Sequence, residues 1–506
     1  MRRLAWVWLL VIAGVVLVAG AVVRAPLVAT GALLLMVAGS HGLFFAHRLQ
    51  RAWLVTFAVI LAGYVLLDKG FAYLITPPVF VGEIALVLGL WAVVMTGGIT
   101  LALRSPISWL LIAFIVHGAA RTLPYIPVYG LNALRDAAIW VYAVFALLVA
   151  AFLLRSRWLE WVPEGYARLL PWFLAWLPVA AAIQTVAAGL VPRVPGTEVP
   201  MLYLKANDVA VHLAGAAVFL LLGLRQFHGR SRRPGGRGEW LWWSLWLLGA
   251  LWAVSVSRGA LLAILAAITV ALVLHPPSIS RAGKLVLSCA IVGAFLVAGN
   301  VQIDLGLESG RKIAPQQIVS NLRSVATGEA GSYSNLAGTR EWRLDWWGDI
   351  VGYTFLGEYF WTGKGYGINL ADDDGYQVTA NGSLRSPHNG HLTILARGGV
   401  PGLVLWALLQ GAFGIAMFWA YLRARRDGLH RWVRFNVWIL AYWVAFLTSA
   451  AFDVYLEGPQ AGIWFWSVFG FGIAALEAQR IEARQRTAAT TRSARARQPL
   501  ATEVYV

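Results

Sequence analysis

The stretch "GSLRSPHNGHLTILARGGVPGLVLWALL", Gly382–Leu409, decides how the chain is to be read. As far as Gly398 it is polar, with His388, His391, Arg385 and Arg397 around a Pro-His-Asn-Gly turn. From Gly399 on it is apolar and opens a run long enough to cross a bilayer. A polar loop that hands over directly to such a run sets imidazoles and guanidiniums at a membrane–water boundary. Outward from this junction, similar apolar runs recur along most of the 506 residues, which are 59% hydrophobic and 13% charged. That composition excludes an ordinary soluble domain.

Hydropathy marks about fourteen spans. They lie near 4–23, 25–46, 53–67, 79–103, 107–119, 137–154, 170–191, 208–225, 240–257, 259–275, 284–300, 399–422, 433–451 and 461–477. The shorter ones are also compatible with re-entrant segments. The first run follows Met-Arg-Arg but is long and has no clear cleavage site after it, so it reads as a retained helix, not a signal peptide. The single cysteine, Cys289, lies in an apolar run and excludes an intrachain disulfide. It reads as helix packing.

The net charge of +17 invites a nucleic-acid reading, which the positions of the charges make unnecessary. With the N-terminus in the cytoplasm, the inside loops include "HRLQRAW", "RQFHGRSRRPGGRGE" and "RARRDGLHRWVR", and the tail is "RIEARQRTAATTRSARARQ". Arginine then concentrates inside, as the positive-inside rule requires, where it meets anionic lipid. The tail is expected to be disordered. This register makes 301–397 a large periplasmic loop. The expected fold is an all-α polytopic integral membrane protein, with about fourteen transmembrane helices and that one loop. Its parts are 1–300 (eleven helices), 301–397 (the loop), 398–480 (three helices) and 481–506 (a basic cytoplasmic tail).

Within the loop, "TREWRLDWWGDIVGYTFL" repeats Trp342, Trp346 and Ile350 at helical spacing. "HNGHLTILARGG" predicts a short helix ending at Gly398 or Gly399. Three kinds of basic position fall on the same outer face. Arg258 begins a span, Arg340 and Arg343 sit in the loop helix, and His388 opens the short helix. A histidine exchanges protons near neutral pH and can deprotonate a hydroxyl. An arginine keeps its charge and can clamp phosphate oxygens with two parallel bonds. Together they suit transfer of a group from a lipid-bound phosphate to a hydroxyl.

Each residue also has a plainer reading. Arg258 is compatible with a snorkelling anchor, and Arg340 or Arg343 with pairing to Glu341 or Asp345. His388 fits a helix-start hydrogen bond and Asn389 a helix cap or a substrate-orienting group. His388 and His391 share a spacing used by metal ligands, without a third ligand nearby. Asp372–Asp374 fits a cation site or, better, a solvated loop. "GKGYG" is no phosphate fingerprint and reads as a turn for close backbone packing. His41, His117 and His212 lie within spans and read as packed polar residues.

The order of these features resembles the O-antigen ligase and polymerase superfamily of bacterial envelope glycosyltransferases. The resemblance rests on "SRGALLA" at the outer end of a span and "WRLDWW", in which Trp347 follows Arg343 by four places. It continues through "GKGYG" to "SPHNGHLTILARGGVPGL", and covers Arg258 to Leu403. It implies a GT-C-like protein of the bacterial inner membrane with its active site facing the periplasm. The implied reaction is a metal-independent, inverting transfer without a cofactor, from an undecaprenyl-diphosphate-linked glycan to a glycan or lipid A-core hydroxyl. By resemblance His388 is the general base, and Arg258 and Arg343, with Arg340 competing, hold the diphosphate. The chain departs from the pattern in its "YFWTGKGYG" turn and its extra spans, so ligase and repeat-unit polymerase both stay open. A flippase of lipid-linked sugars is the rival of another class. It calls for ionisable residues near the bilayer midplane and for repeated halves. A non-enzymatic membrane scaffold leaves the histidine and arginines unexplained.

Overall fold

The computed structural model describes residues 46–74, 80–156, 158–224, 237–300 and 334–496, with short pieces of 302–321 between them. The described chain is all-α and polytopic. Eight of its helices are long and apolar enough to cross a membrane, and Val81–Thr96, Ala206–Leu221, Trp240–Val256 and Arg258–Leu274 are shorter apolar helices. A two-residue antiparallel pair, Ile303–Asp304 with Lys312–Ile313, does not change the class. The expected spans at 4–23 and 25–46 lie outside the described residues, apart from the helix start at Ala46, as does His41.

At the centre stands Ala206–Leu221, buried along almost its whole length. Its sequence explains the position. Ala210, Ala214, Gly215, Ala216 and Ala217 present little side chain, so neighbouring helices approach closely. A Cβ on Gly215 would come within 2.7 Å of the Tyr442 ring. The helices Arg258–Leu274 and His430–Ala450 pack on it and on each other. Tryptophans stitch the layers through backbone carbonyls. Trp438 Nε1 donates to Gly215 O at 3.1 Å, Trp246 Nε1 to Leu213 O at 2.8 Å and Trp464 Nε1 to Leu61 O at 2.9 Å. Where water is absent, each such bond contributes on the order of 1 kcal/mol.

Four helices depart from the expected spans. Trp161–Val186 begins well before the span expected at 170–191 and contains Pro171 and Pro178. The 79–103 span is two helices, Val81–Thr96 and Ile99–Ala102, separated at Gly97, whose φ is 63°. The last helix, Pro459–Ala496, continues far past its span into the tail expected to be disordered, of which 497–506 lie outside the described residues. Alanine, arginine, glutamine and glutamate are strong helix formers, so a helix already nucleated in the membrane propagates through them. Cys289 is exposed on Ile279–Ala298, whose outer surface is largely unpacked, rather than buried in a helix contact.

At one end of the bundle the described arginine-rich connections meet. There Arg431 pairs with Glu160 at 2.8 Å and Arg281 Nη1 donates to Leu221 O at 3.0 Å. The opposite end carries 187–205, the turn at Ser257, the 334–389 segment and the turn 451–458, and the candidate residues lie there.

Candidate functional site

The Ser334–Val351 helix lies on the short helix that starts at Gly390. Trp346 and Ile350 are fully buried against Leu370, Leu395 and Ala396, with Trp342 packed on the same cluster. This is the face that the spacing of the three residues predicts. Arg340, Arg343 and Trp347 follow at three- and four-residue intervals on an adjacent face. Trp347 Nε1 donates to Pro387 O at 2.8 Å, which fixes the loop helix to the strap carrying His388.

His388 has a φ of 52°, rare for a residue with a side chain. Asn389 follows as the cap of Gly390–Arg426, its side chain accepting from His391 N at 3.0 Å and Leu392 N at 3.1 Å. The short helix ends as predicted: Gly399, at φ 68° and ψ −173°, breaks it before the span resumes through Pro401.

The His388 ring faces a carboxylate that the sequence did not single out. Its Nδ1 lies 3.5 Å from Asp453 Oδ1, which also accepts from Val454 N at 2.8 Å. Asp453 Oδ2 pairs with Lys205 Nζ at 3.1 Å and accepts from Asn207 Nδ2 at 2.9 Å. Asn207 Oδ1 in turn accepts from Ser257 Oγ at 2.5 Å, and Ser257 is the N-cap of the Arg258–Leu274 helix. Burial works to raise the Asp453 carboxyl. Lys205 and the hydrogen bonds from His388 and Asn207 outweigh it and hold Asp453 well below the usual carboxylate range. Asp453 is therefore a fixed negative charge behind a part-exposed imidazole.

Arg343 is the half-buried arginine of the loop helix. Its Nη1 donates to Phe452 O at 3.3 Å, and its Nε is buried with no partner among the described residues. Burial lowers it from its ordinary value, Asp453 opposes the shift and Arg258 adds to it. Arg340 is exposed one turn away, within electrostatic reach of Arg258. The expected pairing with Glu341 or Asp345 is not formed among the described residues. Arg258, Arg340 and Arg343 thus crowd like charges beside one carboxylate, which favours an anion between them.

The other candidates have settled partners. His391 accepts from Trp406 Nε1 at Nδ1 (3.0 Å), so its Nε2 donates to Leu447 O at 3.1 Å. His117 bonds Gly398 O at 3.0 Å and His212 bonds Tyr442 OH at 2.7 Å. The acidic run is solvated in part, as expected, with Asp372 and Asp373 exposed and Asp374 half-buried, and its carboxylates already have partners. Asp373 and Asp374 pair with Lys364, Asp374 accepts from Trp346 Nε1 at 2.6 Å, and Asp372 accepts from Gln377 Nε2 at 2.8 Å. "GKGYG" is the close-packing turn expected. A Cβ on Gly363 would lie 2.4 Å from the Arg397 backbone, and one on Gly365 would lie 2.1 Å from the Tyr125 ring. Beneath that turn Asp136, missed in the sequence, pairs with Arg385 at 2.9 Å and with fully buried Arg397 at 3.0 Å, and accepts from Gly367 N at 3.0 Å.

Residues 243–407 match the family described as O-antigen ligase. No curated protein matches the chain. The matched segment contains His388 and all three arginines and stops short of Lys205 and Asp453 on either side. The match supports an O-antigen ligase-type domain over this third of a multi-pass membrane protein, in keeping with the resemblance drawn from the sequence.

Proposed function

We propose that the protein is an inner-membrane glycosyltransferase working at the periplasmic face. It moves a glycan from undecaprenyl diphosphate to the hydroxyl of an acceptor sugar, as an O-antigen ligase does. The observation that carries this reading is the His388–Asp453 contact of 3.5 Å beside three arginines that have no ion pair among the described residues. With Nδ1–H toward Asp453, the Nε2 lone pair is left for the acceptor proton. The fixed carboxylate then stabilises the imidazolium that forms. As the acceptor oxygen bonds the anomeric carbon, the bond to the diphosphate oxygen breaks. Arg258 and Arg343 meet the charge growing there, an interaction stronger in the transition state than before it. Attack opposite the leaving group inverts the anomeric centre. The donor is already activated, so neither nucleotide nor metal enters the scheme. In this reading 301–397 is periplasmic, the arginine-rich end is cytoplasmic, and Asn389 caps its helix without touching substrate.

The charged candidates gather at one end of the bundle, which disfavours the flippase. The test is glycan transfer by the purified protein in detergent from a lipid-diphosphate donor, with and without EDTA. Transfer that persists in EDTA is expected. Complete inhibition by EDTA, restored by a divalent ion, overturns the metal-free mechanism. A deletion strain separates the two acceptors. Loss of all long chains from lipid A-core, with lipid-linked polymer accumulating, marks a ligase, and a core capped by a single repeat unit marks a polymerase. Labelling of a cysteine at Asp373 from the periplasm tests the orientation.

A further inference from the structure

Asp453 faces two ways. Besides meeting His388 it lines a cavity of about 260 Å³ among the ends of the helices Trp161–Val186, Ala206–Leu221 and Arg237–Val256. Lys205, Asn207 and Ser257 line it with Asp453, and Tyr203 and Trp252 give it aromatic surface. Its charges cancel locally, because Lys205 and Asp453 pair at 3.1 Å. The Lys205 N–H at the start of Ala206–Leu221 already donates to Asp68 Oδ2 at 2.6 Å. A phosphate placed here would meet the Asp453 carboxylate, and the unpaired arginines lie elsewhere. An alkyl chain would cover an ammonium, an amide and a carboxylate without bonding any of them, a costly burial. A ring with hydroxyls on its edge and C–H groups on its face suits both kinds of wall. The volume falls just under the range of about 300–1,000 Å³ of drug-sized ligand sites, so it holds one ring and not a chain. Its position is equally specific. Ser257 immediately precedes Arg258, and Asp453 touches His388, so a ring held here lies beside the reacting groups.

We propose that this cavity is a subsite for one neutral sugar ring of the glycan substrates. The proposal rests on the transferase reading above and adds where a sugar is held. The ring belongs to the donor glycan or to the acceptor, and kinetics tell which. Thr185 lines the cavity and bonds only its own helix, through Ala181 O at 2.8 Å, so Thr185→Phe fills the space with little effect on folding. Tyr203→Ala removes an aromatic wall and Tyr203→Phe keeps it.

The experiment measures KM for donor and for acceptor separately, with inhibition by glycan-free undecaprenyl diphosphate as a third reading. The expected result is a rise of about tenfold or more in one KM for Thr185→Phe and Tyr203→Ala. Tyr203→Phe should recover most of the KM loss of Tyr203→Ala, and the inhibition constant should not change. The substrate whose KM rises owns the ring. Two unchanged KM values overturn the subsite. An inhibition constant that rises in parallel shows a lipid-diphosphate site instead and overturns it equally. Failure of the wild-type protein to transfer glycan counts against the transferase reading. In that case loss of oligosaccharide binding in Thr185→Phe supports the subsite, and unchanged or absent binding rejects it.

Discussion

His388 Nδ1 stands 3.5 Å from Asp453 Oδ1, while both ring nitrogens of His391, three residues on, are spent on Trp406 and Leu447. The two histidines are alike in sequence and opposite in availability. His388→Ala should lower turnover by about 10²–10⁴-fold, the usual effect of removing a general base, with folded protein retained. His391→Ala should chiefly reduce the yield of folded protein. Turnover per folded molecule, measured after size-exclusion chromatography, checks both. Near-normal turnover by His388→Ala removes the base assignment.

The arginines should separate by burial. Arg343→Ala should reduce transfer by about 10²–10³-fold, as expected when a preorganised donor to a developing charge is lost. Arg258→Ala should behave similarly, and exposed Arg340→Ala should be the mildest. Lysine at 258 or 343 should restore activity only in part, because a point charge does not reproduce a bidentate fork. Steady-state kinetics on the five variants test the ranking. Inactivity confined to Arg340→Ala reverses the choice within the loop helix.

What made these residues legible is that they lie in short local patterns. Trp342, Trp346 and Ile350 announce a buried face by spacing alone, and Arg343 and Trp347 travel together on the next face. Asp453 had no such signal. It sits in an ordinary turn, and its bond to Asn207 spans 246 residues, a pairing that only the tertiary fold creates. The tail misled for another reason. Its arginine, alanine and threonine composition matches disordered segments, but it follows a membrane helix, and after Gly472 the sequence has no glycine or proline until Pro499.

Lys205→Met should give a stability defect that depends on pH. Asp453, held low, contributes stability above its unfolded value of about 3.9 and loses it only as pH falls through its lower folded value. The wild-type contribution is therefore constant between pH 5 and 8. Without the ammonium, burial raises the carboxyl, and proton uptake relieves the variant as pH falls. Asp68 and Asp208 face the same ammonium and act in the same direction. The deficit should be about 3–5 kcal/mol at pH 8, the scale for a broken buried pair, and smaller at pH 5. Thermal unfolding in detergent at both values tests it, and a deficit independent of pH refutes the account.

Asp136→Ala should act on the fold and not on the chemistry. It strips the partner from Arg397, whose side chain is 1% exposed, and from Arg385. A stability loss of about 3–5 kcal/mol follows from leaving a buried cation unpaired. It should be read as a lower melting temperature and yield, with kcat of the surviving protein close to wild type. A normal melting temperature with lost kcat would move Asp136 into the site.

The break at Gly399 has a mechanical consequence. In an unbroken helix, every tilt of the span as the bilayer thickens or thins would arrive undiminished at the capped end. Here the upper piece is moored sideways. Lys364 N donates to Ala396 O at 2.7 Å, Gly365 N to Arg397 O at 3.0 Å, and Val400 N to Phe360 O at 2.8 Å. A Cβ at Gly399 would press to 2.6 Å from Phe360 O, so only glycine lets the two pieces meet at this angle. The imidazole is thereby referenced to the polar loop, a joint that lets the anchor flex while the groups proposed to react keep their alignment.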